Sequence, residues 1–340
     1  MTFNRIRNIL IISAFAVAFT HCNYFTKKNT YSHLPADTAN YLMWCDELKE
    51  DSTKADVLYK RGEYLFNKKL FLKALADVNN ATSIDTTNSN YYFLLGEVCF
   101  AVNKTKIAAL SYERAITLDK ENVKAYLKLG RLYYIVKEHV KSLQNYDEAI
   151  KLQPECEECF FYKGLNFREM NKLTDHLDLA VAMFQKTLVI NQNYFDAYIQ
   201  LGELYDLKSP KIALEYYNAA IRMQPQSIEA LYHRAYHYQM QHRYDSSGAD
   251  YKRILEINPN FINGYFNIAF INMEQHQWQQ AIEGFKLVTK MNVDNAGAWY
   301  NLGFCYENNN ERKKAIQAYQ ECLLIDRIYP KAAERLQALK

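Results

Sequence analysis

Two groups of residues in this sequence have types and a spacing that could support chemistry. The first is a C-x-x-C pair, Cys156 and Cys159. In an oxidising compartment such a pair can form a local disulfide or act as a redox couple. Thioredoxin-type catalysis needs a strand before the pair, whereas the residues here predict a helix, so a possible disulfide is the functional interpretation. The alternative is that the two cysteines are small apolar side chains at the start of a helix.

The second group consists of His233, His237 and His242. His233 and His237 are four residues apart and share one face of a helix, as a metal-binding pair would. Glu229 is the one nearby candidate for a further ligand, and two ligands on a helix bind no metal tightly. We therefore predict no metal site. The sequence also has no Gly-rich phosphate loop, serine elbow or zinc-protease helix, so we predict no catalytic residues and no cofactor.

The composition is that of a soluble protein rich in aromatic side chains. The 340 residues include 28 Tyr and 18 Phe but only 10 Gly and 6 Pro, which leaves little room for long loops or strand-rich folds. The net charge is +3, and Lys and Arg form no long run. This balance gives no indication of nucleic-acid binding.

Small residues recur at a nearly fixed interval along most of the chain. Between them, apolar residues fall at spacings of three and four, which predicts pairs of amphipathic helices joined by turns. Such a helix hairpin cannot bury its own apolar face, so it must stack on neighbours. The recurring small residues, mostly thirty-four residues apart, are Gly62, Gly96, Gly130, Gly164, Gly202, Ala235, Ala269 and Gly303.

Other positions keep the same phase, with a large apolar residue four before each small residue and an aromatic ring on the second helix. This period and order of residues resemble the tetratricopeptide repeat family. The resemblance implies an all-α fold, a right-handed α-solenoid of about eight helix hairpins. The hairpins would span 55–88, 89–122, 123–156, 157–194, 195–227, 228–261, 262–295 and 296–329, and 330–340 would form a C-terminal capping helix.

The resemblance also implies a binding groove, because the first helix of each repeat lines the concave side in this family. In the last three repeats the groove positions are mostly aromatic, and two are asparagines that resemble those holding the main chain of a bound peptide. We therefore predict a non-catalytic scaffold with a polypeptide partner. The alternatives are an accessory to an envelope enzyme or to glycan-handling machinery, and a redox or metal function through the cysteines or histidines. The predicted groove residues are Tyr232, Tyr236, Phe266, Asn267, Phe270, Met273, Tyr300, Asn301 and Phe304.

The first residues form a targeting segment. Arg5 and Arg7 supply a positive start, and the apolar run 9–19 is shorter than the ~20 residues that a membrane-spanning helix needs. The segment 19–22 resembles a bacterial lipoprotein box, which implies removal of 1–21 and acylation of Cys22. The alternative is cleavage after the A-x-A site at 16–18, which would release a soluble product.

Residues 22–54 read as a tether that ends in a short capping helix. With an acylated Cys22 the protein would be an outer-membrane lipoprotein. No acidic cluster follows Cys22, and in some bacterial groups such a cluster directs lipoproteins to the cell surface. We therefore predict that the protein faces the periplasm; a soluble periplasmic or secreted protein is the alternative.

Overall fold

The computed structural model describes residues 31, 34–170, 174–206 and 208–339. Over these ranges the chain contains eighteen helices and no strand, which confirms the predicted all-α fold. None of these helices, within the same ranges, is long and apolar enough to cross a membrane. The helices are α1 (Ala36–Glu50), α2 (Ala55–Asn67), α3 (Phe71–Ile84), α4 (Ser89–Ala101), α5 (Thr105–Leu118), α6 (Val123–Ile135), α7 (His139–Leu152), α8 (Glu157–Glu169), α9 (Thr174–Ile190), α10 (Phe195–Tyr205), α11 (Pro210–Met223), α12 (Ile228–Met240), α13 (Tyr244–Ile257), α14 (Ile262–Glu274), α15 (Trp278–Met291), α16 (Ala296–Asn308), α17 (Arg312–Ile325) and α18 (Pro330–Ala338).

The chain divides into two compact units, Met1–Asn166 (unit 1) and Phe167–Lys340 (unit 2). In unit 1, α1 packs on α2, and the hairpins α2–α3, α4–α5 and α6–α7 follow one another. In unit 2, α9 packs on α10, the hairpins are α10–α11, α12–α13, α14–α15 and α16–α17, and α18 packs on α17. Within each unit the second helix of a hairpin packs on the first helix of the next hairpin. We call the first helix of each hairpin the A helix and the second the B helix.

The two helices of a hairpin approach closely where a small residue faces an aromatic ring. A Cβ atom added at Gly96 would lie 2.5 Å from Cε1 of Tyr112, so only glycine leaves room for that ring. In the hairpin α14–α15 the glycine at the close approach lies on the B helix instead of the A helix. Its A helix carries Ala269, and a Cβ atom at Gly284 on the B helix would lie 2.6 Å from the Cβ atom of Ala269.

Six of the turns between A and B helices place a residue other than glycine in the left-handed region. At Lys137, for example, φ is 61°, its N–H donates to the carbonyl of Tyr134 at 3.0 Å, and the N–H of Glu138 donates to the carbonyl of Tyr133 at 2.9 Å. This pair of bonds is the Schellman arrangement that usually has glycine at its left-handed position. The six residues are Lys69, Asn103, Lys137, His242, His276 and Asn310, with φ between 56° and 61°.

Tyrosines of the B helices form the centre of most hairpins, and their hydroxyl groups reach the A helix. Tyr112, Tyr146, Tyr217, Tyr251 and Tyr319 are all almost fully buried. Four of these hydroxyls donate to a side-chain oxygen of their own hairpin, with acceptors on Glu97, Asp206, Gln239 and Glu307. The hydroxyl of Tyr146 is the exception, because it is the one buried side-chain polar atom without a partner in the part of the chain that the structure describes.

Candidate ligand-binding surface

The nine predicted groove residues lie on three A helices of unit 2. Residues four apart share one face of a helix, which places the aromatic residues of each helix side by side. Helix α12 carries Tyr232 and Tyr236, α14 carries Phe266, Asn267, Phe270 and Met273, and α16 carries Tyr300, Asn301 and Phe304. Helices α14 and α16 also contact each other directly. We call these nine residues the aromatic surface.

The aromatic surface is more closed than the sequence predicts. Among the nine residues only Tyr236 is exposed, at 46%, whereas Asn267 and Met273 are buried, at 9% and 7%. The other six residues are half-buried. One reason is that Tyr232, Phe266 and Tyr300 each pack against the core ring of their own hairpin. The ring centroids lie 5.4 Å apart for Phe266 and Phe285, and 5.8 Å apart for Tyr300 and Tyr319.

The last helix covers one end of this surface. The guanidinium of Arg335 lies 5.8 Å from the centroid of the Phe304 ring. Its Nη2 and Nε donate to the two carboxylate oxygens of Glu307 at 2.6 and 3.1 Å. The same carboxylate accepts the hydroxyl of Tyr319 at 2.8 Å, so the arginine is held firmly over the ring. A ligand at Phe304 therefore meets a cation–π pair rather than a bare ring.

The two asparagines of the aromatic surface have free amide groups. Neither the side chain of Asn267 nor that of Asn301 forms a hydrogen bond to any residue that the structure describes. They stand thirty-four residues apart, at the same position of two A helices that touch. A primary amide offers two donors and one acceptor, so these groups can hydrogen-bond a ligand from adjacent positions.

The histidine pair is bound to carboxylates of the preceding hairpin. Nδ1 of His237 lies 2.6 Å from Oδ1 of Asp206, whose Oδ2 accepts the hydroxyl of Tyr217 at 2.7 Å. Nδ1 of His233 lies 3.4 Å from Oε1 of Glu203. His237 is only 3% exposed, so this contact is part of the packing between α10 and α12. His242 lies apart from the pair, in the turn after α12.

Nothing in the described ranges assembles a metal site. Across them, no three His, Cys, Asp or Glu side chains come together in a way that could hold a metal ion. The carboxylates nearest the histidine pair already have partners. Glu203 also binds the guanidinium of Arg168 at 2.6 Å.

The cysteines of the C-x-x-C pair are joined by a disulfide that links Cys156, just before α8, to Cys159 in the first turn of that helix. Their Cα atoms are 5.3 Å apart, and both residues are buried beside Tyr146 and Ala149. The remaining cysteines of the described ranges, Cys45, Cys99, Cys305 and Cys322, are buried thiols.

Burial makes two of these thiols unreactive. It raises the pKa of Cys305 to about 12 and that of Cys322 to about 11, so both stay protonated and are poor nucleophiles at neutral pH. The predicted lipidation site Cys22 and the targeting segment 1–21 lie outside the described residues.

Comparison with protein-family models identifies the repeats. Tetratricopeptide repeat models match residues 89–122 and 123–156, 203–260, and 296–329. These matches and the stacked hairpins confirm the predicted family, and the chain belongs to the tetratricopeptide repeat proteins. A search of curated proteins found no match.

Solved structures show the same fold. The C-terminal part of a tetratricopeptide repeat-containing protein from Cytophaga hutchinsonii has a TM-score of 0.60 and 17% identity, covering 72% of this chain and 99% of that one. A tetratricopeptide repeat protein from Parabacteroides merdae has a TM-score of 0.55 and 19% identity, covering 74% and 98%. Pseudomonas aeruginosa pilF has a TM-score of 0.52 and 20% identity, covering 62% and 94%. At these identities the likeness concerns the fold alone.

Membership of this family indicates the general kind of function. Tetratricopeptide repeats form protein–protein interaction scaffolds, commonly bind protein or peptide partners and are typically non-catalytic. The chain is therefore an interaction scaffold in this general sense.

Proposed function

We propose that the protein binds an extended polypeptide segment on the aromatic surface of unit 2. One observation carries this proposal: the free amides of Asn267 and Asn301 lie at matching positions on two touching helices, among half-exposed aromatic rings. Neither amide is buried without a partner, so both stay open to water, and a ligand can replace that water with hydrogen bonds of its own.

An extended peptide matches these groups chemically. Its main chain presents a donor and an acceptor at each residue, and an amide side chain can satisfy both without reading the peptide sequence. The exposed ring of Tyr236 and the half-exposed edges of Phe266, Phe270 and Tyr300 then provide apolar contacts for side chains of the peptide. Aromatic anchors of this kind carry much of the binding energy at protein interfaces.

We further propose that the protein is an exported lipoprotein that works in an envelope assembly, on the periplasmic side of the outer membrane. The support is the charged and apolar start of the sequence and the lipoprotein-like box that ends at Cys22. Each acyl methylene buried in a bilayer contributes about 0.8 kcal/mol, so several chains on Cys22 would hold the protein there permanently. The residues between Cys22 and α1 would then tether the repeats to the membrane, and α1 would cap the first repeat.

Crosslinking at a defined position tests the binding proposal. A photoreactive amino acid at Tyr236, which is exposed on α12, should give adducts with a polypeptide in membranes of the source cells. The matched control is Leu287, which is 40% exposed on the B helix α15 and outside the aromatic surface. Equal labelling from both positions, or adducts with glycan alone at Tyr236, would overturn the proposal.

Amide replacement tests the role of the asparagines. The double variant Asn267→Ala and Asn301→Ala should bind the crosslinked partner at least about tenfold more weakly, as expected for two lost hydrogen bonds. Asn263→Ala is the control, because Asn263 is exposed one turn earlier on the same helix and is not one of the nine residues of the aromatic surface. Circular dichroism should show unchanged helicity in both. Unchanged affinity of the double variant would contradict the assignment.

Metabolic labelling tests the anchor. Cells fed a radiolabelled fatty acid should label the wild-type protein and not the Cys22→Ala variant. A wild-type protein that carries no label and begins after the A-x-A site at 16–18 would establish the soluble alternative instead.

A further inference from the structure

A second surface of unit 2 lies on the opposite flank of α16 from the aromatic surface. It is a cleft of about 630 Å³ between the B helices α15 and α17. Trp299, Leu302 and Tyr306 share one face of α16, a different face from Tyr300 and Phe304. The lining side chains are Trp299, Leu302 and Tyr306 on α16, Lys286, Thr289 and Lys290 on α15, and Lys314, Gln317, Ala318, Gln320 and Glu321 on α17.

The floor of the cleft is apolar. Leu302 and Tyr306 are buried, at 3% and 9% exposure, and Trp299 is half-buried. The indole N–H of Trp299 already donates to the carbonyl of Val293 at 2.9 Å, so this ring offers only apolar surface to a ligand. A floor of this kind accepts an apolar side chain.

The walls of the cleft are basic. Lys286 and Lys290 are exposed, and neither forms an ion pair with another residue in the described ranges. Lys314 forms an ion pair with Glu311, and its Nζ lies 5.4 Å from the centroid of the Tyr306 ring. Glu321 is the one carboxylate among the lining residues, so the cleft carries more positive than negative charge.

This charge is not a general property of the repeats. In the preceding repeat, thirty-four residues earlier, Lys286 corresponds to Lys252 and Lys290 corresponds to Glu256. Likewise, Lys314 corresponds to Gln280 and Gln317 corresponds to Glu283. The preceding repeat therefore lacks this combination of lysines and supplies an internal control.

We propose that this cleft binds an acidic polypeptide segment that inserts one apolar side chain against Trp299 and Leu302. The volume lies within the range of about 300–1,000 Å³ typical of ligand sites. Lysines on flexible stems suit dispersed carboxylates, which need no fixed geometry. This interaction is separate from binding at the aromatic surface, because the two use different faces of α16.

Other anionic ligands fit the cleft less well. Phosphate sites usually rely on free backbone N–H groups or on the planar fork of arginine. The walls here are the flanks of helices whose backbone groups bond internally, and no arginine is among the lining residues. A flat anionic bilayer could contact the lysines but could not reach the buried side chains of Leu302 and Tyr306 on the floor.

Fluorescence anisotropy with a defined probe tests the proposal on the mature full-length chain. The probe is a short fluorescein-labelled peptide of glutamates with one central phenylalanine. Three comparison ligands are the same peptide with lysines for glutamates, the glutamate peptide without phenylalanine, and vesicles of phosphatidylglycerol. The protein variants are the single charge reversals Lys286→Glu and Lys290→Glu, their combination, and the control Lys252→Glu, which matches each single reversal in charge. Lys252 is exposed at the equivalent position of the preceding repeat.

The acidic peptide with phenylalanine should bind to the wild-type protein. The double reversal should lower its affinity by about tenfold or more, because the introduced glutamates would repel the glutamates of the peptide. Lys252→Glu should leave the affinity unchanged, and both comparison peptides should bind more weakly. Failure of the acidic peptide to bind, equal binding by the double reversal, or binding of the vesicles instead would each overturn the proposal. The double variant Asn267→Ala with Asn301→Ala should not alter the affinity for this probe. A wrong assignment of the aromatic surface can therefore be distinguished from a wrong assignment of the cleft.

Discussion

Removing the hydroxyl group of Tyr146 should not destabilise the protein, whereas removing that of Tyr217 should. Both side chains are fully buried at the same position of a B helix, so Tyr→Phe is the same chemical change in each. The hydroxyl of Tyr217 donates to Oδ2 of Asp206 at 2.7 Å. The hydroxyl of Tyr146 has no partner among the described residues. The hydroxyl of Ser142, one turn earlier, is already used in both directions, because it donates to the carbonyl of Gly130 and accepts from Nδ2 of Asn166.

The magnitudes follow from these contacts. A hydrogen bond to a charged group contributes about 1.5–3 kcal/mol. The lower end applies to Tyr217→Phe, because the side chain of Asp206 is 26% exposed and keeps its contact with His237. A buried hydroxyl without a partner costs about 1–3 kcal/mol, so Tyr146→Phe should leave the free energy of unfolding unchanged or raise it. We expect the two variants to differ by at least about 1.5 kcal/mol.

Equilibrium urea denaturation followed by circular dichroism would measure the difference. Because repeat arrays can unfold in stages, amide hydrogen exchange in α7 and α11 should accompany it. Slower or unchanged exchange in α7 of Tyr146→Phe, with faster exchange in α11 of Tyr217→Phe, is the expected result. Equal destabilisation by the two substitutions would show that the hydroxyl of Tyr146 has a partner, and the reasoning would fail.

Three further predictions concern backbone geometry and pH. Gly202→Ala should destabilise the protein by about 1–3 kcal/mol, because the added Cβ atom would collide with the ring of Tyr217. Gly248→Ala should stabilise α13 by about 0.5–1 kcal/mol, because a Cβ atom there would meet no other atom. Urea midpoints that shift in the same direction in both variants would contradict this argument. Lys137→Gly should raise the free energy of unfolding by about 0.5–1 kcal/mol, because glycine adopts the left-handed conformation without strain. Asn103→Gly should raise it by less, because asparagine tolerates this conformation better than lysine does. Equal increases in the two variants would contradict the argument. Burial, reinforced by Glu113, raises the pKa of Tyr133 to about 12, so the unfolded chain loses this proton first, near its ordinary pKa of about 10. The contribution of Tyr133 to stability should therefore be complete below about pH 10 and fall as the pH rises towards 12. Urea midpoints measured against pH should fall less steeply over this range in Tyr133→Phe, and an identical fall in the variant would contradict the argument.

The repeat architecture could be predicted because its determinants are local and periodic. A small residue every thirty-four positions fixes where two helices cross, and the aromatic residue that follows fills the space it leaves. The exchange of roles between Ala269 and Gly284 could not be predicted in this way. It depends on two residues of different helices considered together, and neither is unusual alone.

The left-handed turns gave no sequence signal. Lys, His and Asn occupy positions where glycine is usual, and their side chains do not mark a turn of this kind. Only the repeat register could have suggested them, since Lys69, Asn103 and Lys137 follow one another at the thirty-four-residue interval. The backbone conformation is imposed there by the packing of the two helices that each turn connects.

The location of the nine residues on three A helices could be predicted, but their degree of exposure could not. Helical spacing placed the nine residues on three A helices. How far each ring is covered depends on side chains distant in sequence, such as Phe285 against Phe266 and Arg335 over Phe304. The partners of the histidines were missed for the same reason, because Asp206 reaches His237 from the preceding hairpin.

The bond between Asp206 and His237 has a mechanical consequence for unit 2. Asp206 follows α10, whereas His237 lies on α12, and Tyr217 of α11 holds the same carboxylate. Three helices of two successive hairpins are thus tied at one point. Under tension applied to its two ends, an array of this kind should yield hairpin by hairpin, and these two hairpins should come apart as a single step of double length.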